Sequence, residues 1–210
     1  MTAGPTREAI DPVRFVSNRS SGKMGYAVAA AALAAGHAVR LISGPVGLDA
    51  PRGAKLVRAV TAADMLAAVE KNVGWCDVLV MAAAVADWRP KRAAKRKLKK
   101  RAGPPRIEWE ATPDILKTIA PRKKESQVFC GFAAETGRLA AEAQRKLREK
   151  NLDVIAANDV SKADRGFESD RNALALYFAE GRARRLGLAD KSECAARMVA
   201  LLEKLAAKKK

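Results

Sequence analysis

Histidine, cysteine and aromatic side chains are scarce in this chain of 210 residues: one His, three Cys and 5% aromatics. The single histidine, His37, follows Gly36 at the end of a helical pattern, the ordinary place for a solvated turn residue. Ser-His nucleophilic chemistry therefore has no evident base. Cys76, Cys130 and Cys194 are odd in number and lack the spacing of a metal knuckle, which argues against both a disulfide framework and a zinc site and fits a reducing cytoplasm. No apolar run approaches the roughly 20 residues of a membrane helix, and MTAGPTREAID has no apolar stretch of the kind that begins a secretory signal. With 49% hydrophobic residues, the chain reads as one soluble cytoplasmic domain, residues 1–210, with enough apolar surface for a core.

Acidic residues are scarce in two places, and these account for most of the formal net charge of +17. Residues 89–101 (RPKRAAKRKLKKR) hold nine Lys or Arg and no acid, and residues 204–210 hold four more Lys. The rest is nearly balanced. A protein that coats nucleic acid usually interleaves aromatics with its cations or presents a basic helix or sheet face. Here the charge forms a run and a tail, so nucleic-acid binding is not favoured. The run reads as a solvated segment and the tail as a frayed helix end, where cations suit the dipole.

Short apolar runs alternate with helical patterns, as in a sheet covered by helices on both faces. The strands expected are 38–43, 55–60, 77–83, 127–134, 152–158 and 173–179. Several are apolar throughout rather than alternating, which implies burial on both faces in a largely parallel sheet. The fold class expected is α/β, Rossmann-like, with a mostly parallel central sheet flanked by helices. A helix is expected from about residue 21, after Ser20, Ser21 and Gly22, with a small-residue face that lets it approach the sheet and exposed amides at its start. Others are expected over about 62–72, 113–121, 137–150 and 191–207, the last with Asp190 and Glu193 spaced as a capping box. Residues 84–105, polar and Pro-containing, read as a long basic loop or flap. TAG should end a first strand, yet only Met1 precedes it, so most of that strand is expected to be missing. A version extended by about eight upstream residues is expected to be more stable, each added buried apolar side chain contributing roughly 1.5–3 kcal/mol.

Strict nucleotide motifs are lacking. In SNRSSGKMG, Met24 stands where a P-loop has Ser or Thr and Ser17 where it has its first glycine, while Gly22 and Gly25 match only half of G-x-G-x-x-G. On pattern alone, a Rossmann-like NAD(P) reductase and a basic nucleic-acid-binding module stay open as alternatives.

Six ordered blocks say more: TAGPTREAIDPVRFVSNRSSGKMG, AAAVADWRP, KLKK, TPDIL, GFAAET and KLREKNLDVIAAN. Together, from Thr2 to about Asp159, they resemble the bacterial phosphopantothenoylcysteine synthetases, also called phosphopantothenate-cysteine ligases. The resemblance implies a ligase of coenzyme A biosynthesis that joins 4'-phosphopantothenate to L-cysteine, using CTP and Mg2+ through an acyl-cytidylate. It implies a homodimer in which part of one subunit's flap or sheet edge completes the other's site. Most bacterial members follow a flavin-dependent decarboxylase that has no counterpart in these residues. No flavin is therefore expected here, and a separate phosphopantothenoylcysteine decarboxylase is expected in the pathway.

The resemblance also implies roles for single residues. Lys97, first of the K-x-K-K block, would stabilise charge on the α-phosphate. Asn18 would hold the acyl-cytidylate carbonyl while cysteine attacks. Arg14 would stand near that intermediate, its fork suited to phosphate or carboxylate. Ser20 and Ser21 would combine helix capping with phosphate contact. Nucleotide positions would be Ala82, Ala83, Ala84 and Asp87 after one strand, Pro113, Asp114, Ile115 and Leu116 at a helix start, Phe132 at another strand, and Lys146 with Lys150 on one helical face. Such residue types suit the chemistry, since a carboxylate must be attached to a phosphate before an amine can displace it, and lysines beside a helix N-terminus gather the phosphates required.

Overall fold

The computed structural model describes residues 1–135, 139–159, 166 and 168–210. In chain order its elements are β1 (Thr2–Ala3), β2 (Arg7–Ala9), β3 (Phe15–Ser17), α1 (Lys23–Ala34), β4 (Arg40–Ser43), β5 (Lys55–Arg58), α2 (Ala62–Val73), β6 (Val78–Met81), β7 (Trp88–Pro90), β8 (Trp109–Ala111), α3 (Ile115–Ile119), β9 (Val128–Glu135), α4 (Leu139–Glu149), β10 (Val154–Asp159), β11 (Arg171–Phe178), β12 (Ala183–Asp190) and α5 (Lys191–Ala207). The main sheet runs β12-β11-β10-β9-β6-β1-β4-β5. From β10 to β5 every pairing is parallel, while β11 and β12 pair antiparallel at one edge. The chain order reverses at β1, and open sheets of this kind bind ligands at such a switch point, beyond the C-terminal strand ends.

The both-faces burial expected for the apolar strands is observed residue by residue. Leu79, Phe129 and Ile155 point into a core with Met65, Val69, Ile119 and Leu147 of α2, α3 and α4. Their neighbours Val80, Cys130, Val154 and Ala156 point the other way, against Val28 of α1 and Met198, Val199 and Leu202 of α5. The TAG segment does form a strand, but one of two residues, at the centre between β4 and β6.

Several expectations need correction. The last expected strand, 173–179, belongs to the antiparallel edge, and its burial alternates accordingly. Its partner β12 was not expected, because a strand reading ARRLGLAD carries two arginines on an open edge. The capping box at Asp190 and Glu193 does not form: Asp190 makes no side-chain cap bond, and Glu193 is drawn to Arg197 one turn on. A capping box does close α2, where Asp64 N–H donates to Thr61 Oγ1 and Thr61 N–H to Asp64 Oδ2. The expected helix at 137–150 is observed from Leu139 to Glu149, its first two residues and Thr136 of GFAAET lying outside the described residues. The flap is not loop throughout: β7 and β8 pair antiparallel at its stem, and Lys100–Ala102 forms a 3-10 turn.

The basic tail is anchored rather than frayed. Lys209 Nζ donates to Asp153 Oδ1 at 2.5 Å and to the Gln127 carbonyl at 2.9 Å. Lys123, whose side chain is 8% exposed, meets Asp153 Oδ2 at 2.8 Å, and Phe129 N–H donates to the same oxygen. Burial pushes the Asp153 carboxyl up, but the bonds from Lys123, Lys209 and Phe129 outweigh it and the net shift is downward. Its stabilisation is thus present above the unfolded carboxylate value of about 3.9 and is lost as pH falls through the folded one. Asp153→Asn should cost about 3 kcal/mol near pH 7, because it leaves Lys123 buried without its counter-ion. Urea unfolding of both proteins should show that gap narrowing below about pH 4. A gap independent of pH would mean the carboxylate charge is not what holds the tail.

Candidate active site

A cavity of about 440 Å³ opens at the C-terminal ends of β1, β6 and β9. Its floor is the strand-end run Met81, Ala82, Ala83, Ala84 and Val85, whose small side chains leave backbone close to the space. The N-terminal loop holds that run in place. Ala83 N–H donates to Thr2 Oγ1, Ala86 N–H to Thr6 Oγ1, and Ala84 N–H to the Gly4 carbonyl. Thr2 and Thr6 are fully buried, and they are positioning residues that sequence reading did not identify.

One wall is the start of α1, with Ser20, Ser21, Gly22, Lys23, Met24 and Gly25 lining the cavity. Gly22 sits at φ 78°, and a Cβ there would stand 2.8 Å from Val46 Cγ1, so the turn into the helix requires glycine. The capping role expected of the serines is not observed. α1 has no side-chain cap, and Ser20 Oγ accepts from Gly22 N–H at 3.3 Å. The first-turn amides, which carry the positive end of the helix dipole, consequently lack a side-chain cap where they border the cavity.

Asn18 bridges the two walls. Its Nδ2 donates to the carbonyls of Ala84 at 3.1 Å and Val85 at 3.0 Å. Two carbonyl partners fix which end of the amide is nitrogen and use both of its N–H groups, so what Asn18 can offer a ligand is its oxygen, an acceptor. No turn of its own backbone is closed by this side chain.

Opposite lie Asp87, Thr112, Pro113, Asp114, Ile115, Leu116 and Phe132. Asp114 caps α3 by accepting from Lys117 N–H and pairs with Lys150 at 2.9 Å. Burial pushes its carboxyl up, yet the Lys150 and Lys117 bonds hold it below the usual carboxylate range. Thr112 ties this wall to the floor, its N–H donating to the Asp87 carbonyl and its hydroxyl to that of Ala86. The far end holds Asn158, Asn172, Lys23 and Lys191, none of them singled out as site residues from sequence. Lys191 is 6% exposed, and its Nζ donates to the carbonyls of Gly166 and Ser169 at 2.8 and 2.5 Å. Burial first, then the charge of Lys23, pulls its pKa below the usual lysine range. Lys23 pairs with Asp170 at 2.6 Å.

Thus Asn18, Ser20, Ala82, Ala83, Ala84, Asp87, Pro113, Asp114, Ile115, Leu116, Phe132 and Lys150 line one cavity, whereas Lys97, Arg14 and Lys146 do not. Lys146 is half-buried on α4, one turn before Lys150. Lys97 is exposed on the flap and Arg14 exposed at the tip of the β2–β3 hairpin. Chemically, the cavity combines an alanine ledge, a helix N-terminus and three lysines each already held by an oxygen partner, a set suited to a ligand bearing more than one phosphate.

The family model described as DNA/pantothenate metabolism flavoprotein C-terminal domain matches residues 1–205. The coenzyme A biosynthesis bifunctional protein CoaBC of Bacillus subtilis (strain 168) is 48% identical over 192 residues, which are 91% of this chain and 47% of that protein. The protein of the same name from Escherichia coli (strain K12) is 47% identical over 184 residues, 86% of this chain and 45% of that protein. The chain thus spans about half the length of these relatives. A crystal structure of the C-terminal domain of coenzyme A biosynthesis bifunctional protein CoaBC superposes with a TM-score of 0.84 at 42% identity, covering 99% of this chain and 94% of that one. No helix among the described residues is long and apolar enough to cross a membrane.

Proposed function

Because the chain belongs to the family of DNA/pantothenate metabolism flavoprotein C-terminal domains, we propose that it is a phosphopantothenate-cysteine ligase of coenzyme A biosynthesis. The observation that carries this reading is the convergence, in one cavity, of the floor alanines, the α1 N-terminus, Asn18 and Lys150. In the first step a carboxylate oxygen of 4'-phosphopantothenate bonds to the α-phosphorus of CTP, and the bond to pyrophosphate breaks. In the second the cysteine amine bonds to the acyl carbon, CMP leaves with the oxygen, and the amine loses a proton.

The residues divide this work by what each still has to give. The small side chains of Ala82–Ala84 admit the nucleotide, with Asp114 and Lys150 beside it. The α1 amides and Lys23 suit the phosphate of the second substrate. Asn18, with its N–H groups spent on Ala84 and Val85, accepts from the attacking amine rather than donating to the acyl carbonyl. Magnesium, when bound, neutralises phosphate charge. Among the described residues no three His, Cys, Asp or Glu side chains come together. That donor set fits a magnesium carried in on the nucleotide phosphates, with Asp87 as the cavity carboxylate within its class of ligand.

Lys97 and Arg14 stand on an arm outside the cavity of their own chain. The same arm exposes Val13, Phe15, Trp88 and Trp109, between 46% and 58% accessible, on two hairpins whose strands β2 and β7 lie side by side. Apolar side chains so grouped mark an interaction surface, and a second copy seated there would deliver Lys97 and Arg14 to the partner's cavity. Light scattering on eluting protein should give a dimer for the wild type and a monomer for Trp88→Ser with Phe15→Ser. A monomeric wild type with full turnover would refute this assembly. The activity itself is tested by incubating the protein with CTP, magnesium, 4'-phosphopantothenate and cysteine. Release of CMP should require both acid and amine, and no cysteine-dependent CMP above background would refute the ligase reading.

A further inference from the structure

We infer that Asp11 is a positioning residue that locks Arg14 and the Lys97 segment of the flap into a single unit; this rests on the ligase reading for its effect on turnover. Asp11 is the residue at the β2–β3 turn whose side chain is wholly screened from solvent, and its two oxygens accept five N–H groups. Oδ1 takes the backbone N–H of Val13 and of Arg14, each at 2.9 Å. Oδ2 takes Arg14 Nε at 3.1 Å, Arg14 Nη2 at 2.7 Å and the Leu98 N–H at 3.1 Å.

The Leu98 contact spans 87 residues of sequence and joins two segments that share no strand pairing. It is reciprocated: Arg14 Nη2 donates to the Leu98 carbonyl at 3.1 Å, and Ala94 N–H to the Ile10 carbonyl at 2.9 Å. Lys97 is therefore bracketed by two fixed points, Ala94 and Leu98, while its own side chain stays exposed. Nine cations and no acid over residues 89–101 repel one another and would favour an extended, wandering loop. The Asp11 carboxylate opposes this at one place. Arg14 holds that carboxyl well below the usual range, with the backbone bonds adding, so it stays ionised at any pH where the protein works. A neutral amide at this position has the shape but not the capacity: one acceptor oxygen cannot replace two that together take five donors.

The test uses the full chain, wild type, Asp11→Asn and Leu98→Pro. Brief trypsin exposure followed by mass spectrometry reads the clasp directly, because the flap is rich in cleavable bonds. In Asp11→Asn, cleavage after Lys97 should accelerate at least about tenfold, while cleavage after Arg52, in a distant exposed turn, stays as in the wild type. Leu98→Pro removes only the flap's N–H, leaving Asp11 and Arg14 paired, and it lies outside the core, so folding is not at stake. Both variants should lose at least about tenfold in kcat for cysteine-dependent CMP release, with KM for CTP within about threefold. Unchanged tryptic rates would overturn the clasp. Faster cleavage with unchanged kcat, or a loss carried in KM, would overturn its positioning role. A wild type without ligase activity would instead count against the proposed function, and the tryptic rates would still decide whether the clasp exists.

Discussion

Lys97→Gln is expected to slow acyl-cytidylate formation by about two to three orders of magnitude, the usual effect of removing one group that meets developing charge. Glutamine keeps the length and a donor but not the charge, so folding, to which an exposed flap residue contributes little, should be unaffected. Asn18→Asp should act on the other step. Aspartate retains an acceptor oxygen for the amine, yet it sets a carboxylate against the carbonyls of Ala84 and Val85, where the amide had donated twice. The ledge should shift, and the intermediate should form but persist. Rapid-quench analysis separates the two: pyrophosphate without CMP for Asn18→Asp, neither for Lys97→Gln. Mixing the two inactive proteins adds a further expectation. If Lys97 serves the partner's cavity, a mixed dimer contains one site with both native residues, and activity should return to about a quarter of the wild type under random pairing. No recovery, with mixed dimers demonstrated, would place Lys97 over the cavity of its own chain.

The second large effect is expected at Gly25. α1 lies directly on the central strand there, and a Cβ would stand 2.5 Å from Ala3 Cβ, 3.1 Å from Ala3 Cα and 3.2 Å from the Thr2 carbonyl oxygen. Two of those neighbours are backbone of a strand held on both sides by β4 and β6, so it is the helix that must move. Overpacking of this kind costs about 1–3 kcal/mol, against the roughly 0.5–1 kcal/mol that alanine gains over glycine in a helix. For a domain of this size, Gly25→Ala should lower Tm by about 2–8 °C. It should also raise KM for 4'-phosphopantothenate, because residues 20–25 are the wall that carries the α1 amides. Calorimetry and steady-state kinetics on the one variant check both, and an unaltered Tm would show that the helix can yield locally.

What could be read from sequence divides along physical lines. Val78–Met81 and Val128–Cys130 were legible because burial on both faces leaves a continuous apolar run, whatever the neighbours. β7, β8 and the β2–β3 hairpin were not, since three-residue strands with exposed Trp88, Trp109 and Phe15 have no periodicity to detect. At the site, the alanine ledge could be placed because small residues at a strand end signal close approach. Asn158, Asn172 and Lys191 could not. Their polarity suggests solvent, and only the fold shows them buried at the cavity's far end. Asp11 is the sharpest case. In sequence it is one acid in a turn, and its link to Leu98 exists only once the flap folds back. The resemblance supplied Lys97 and Arg14, whereas the carboxylate between them emerged from the hydrogen bonds.

One panel tests the central claim most directly: the protein with magnesium, 4'-phosphopantothenate and cysteine, supplied in turn with CTP, ATP, GTP or UTP, and assayed for the nucleoside monophosphate and the amide product together. The account predicts equal amounts of CMP and phosphopantothenoylcysteine with CTP, and far less product with the other three. Product formed equally well from every nucleotide would contradict the cytidylate route, and no product from any would contradict the ligase itself.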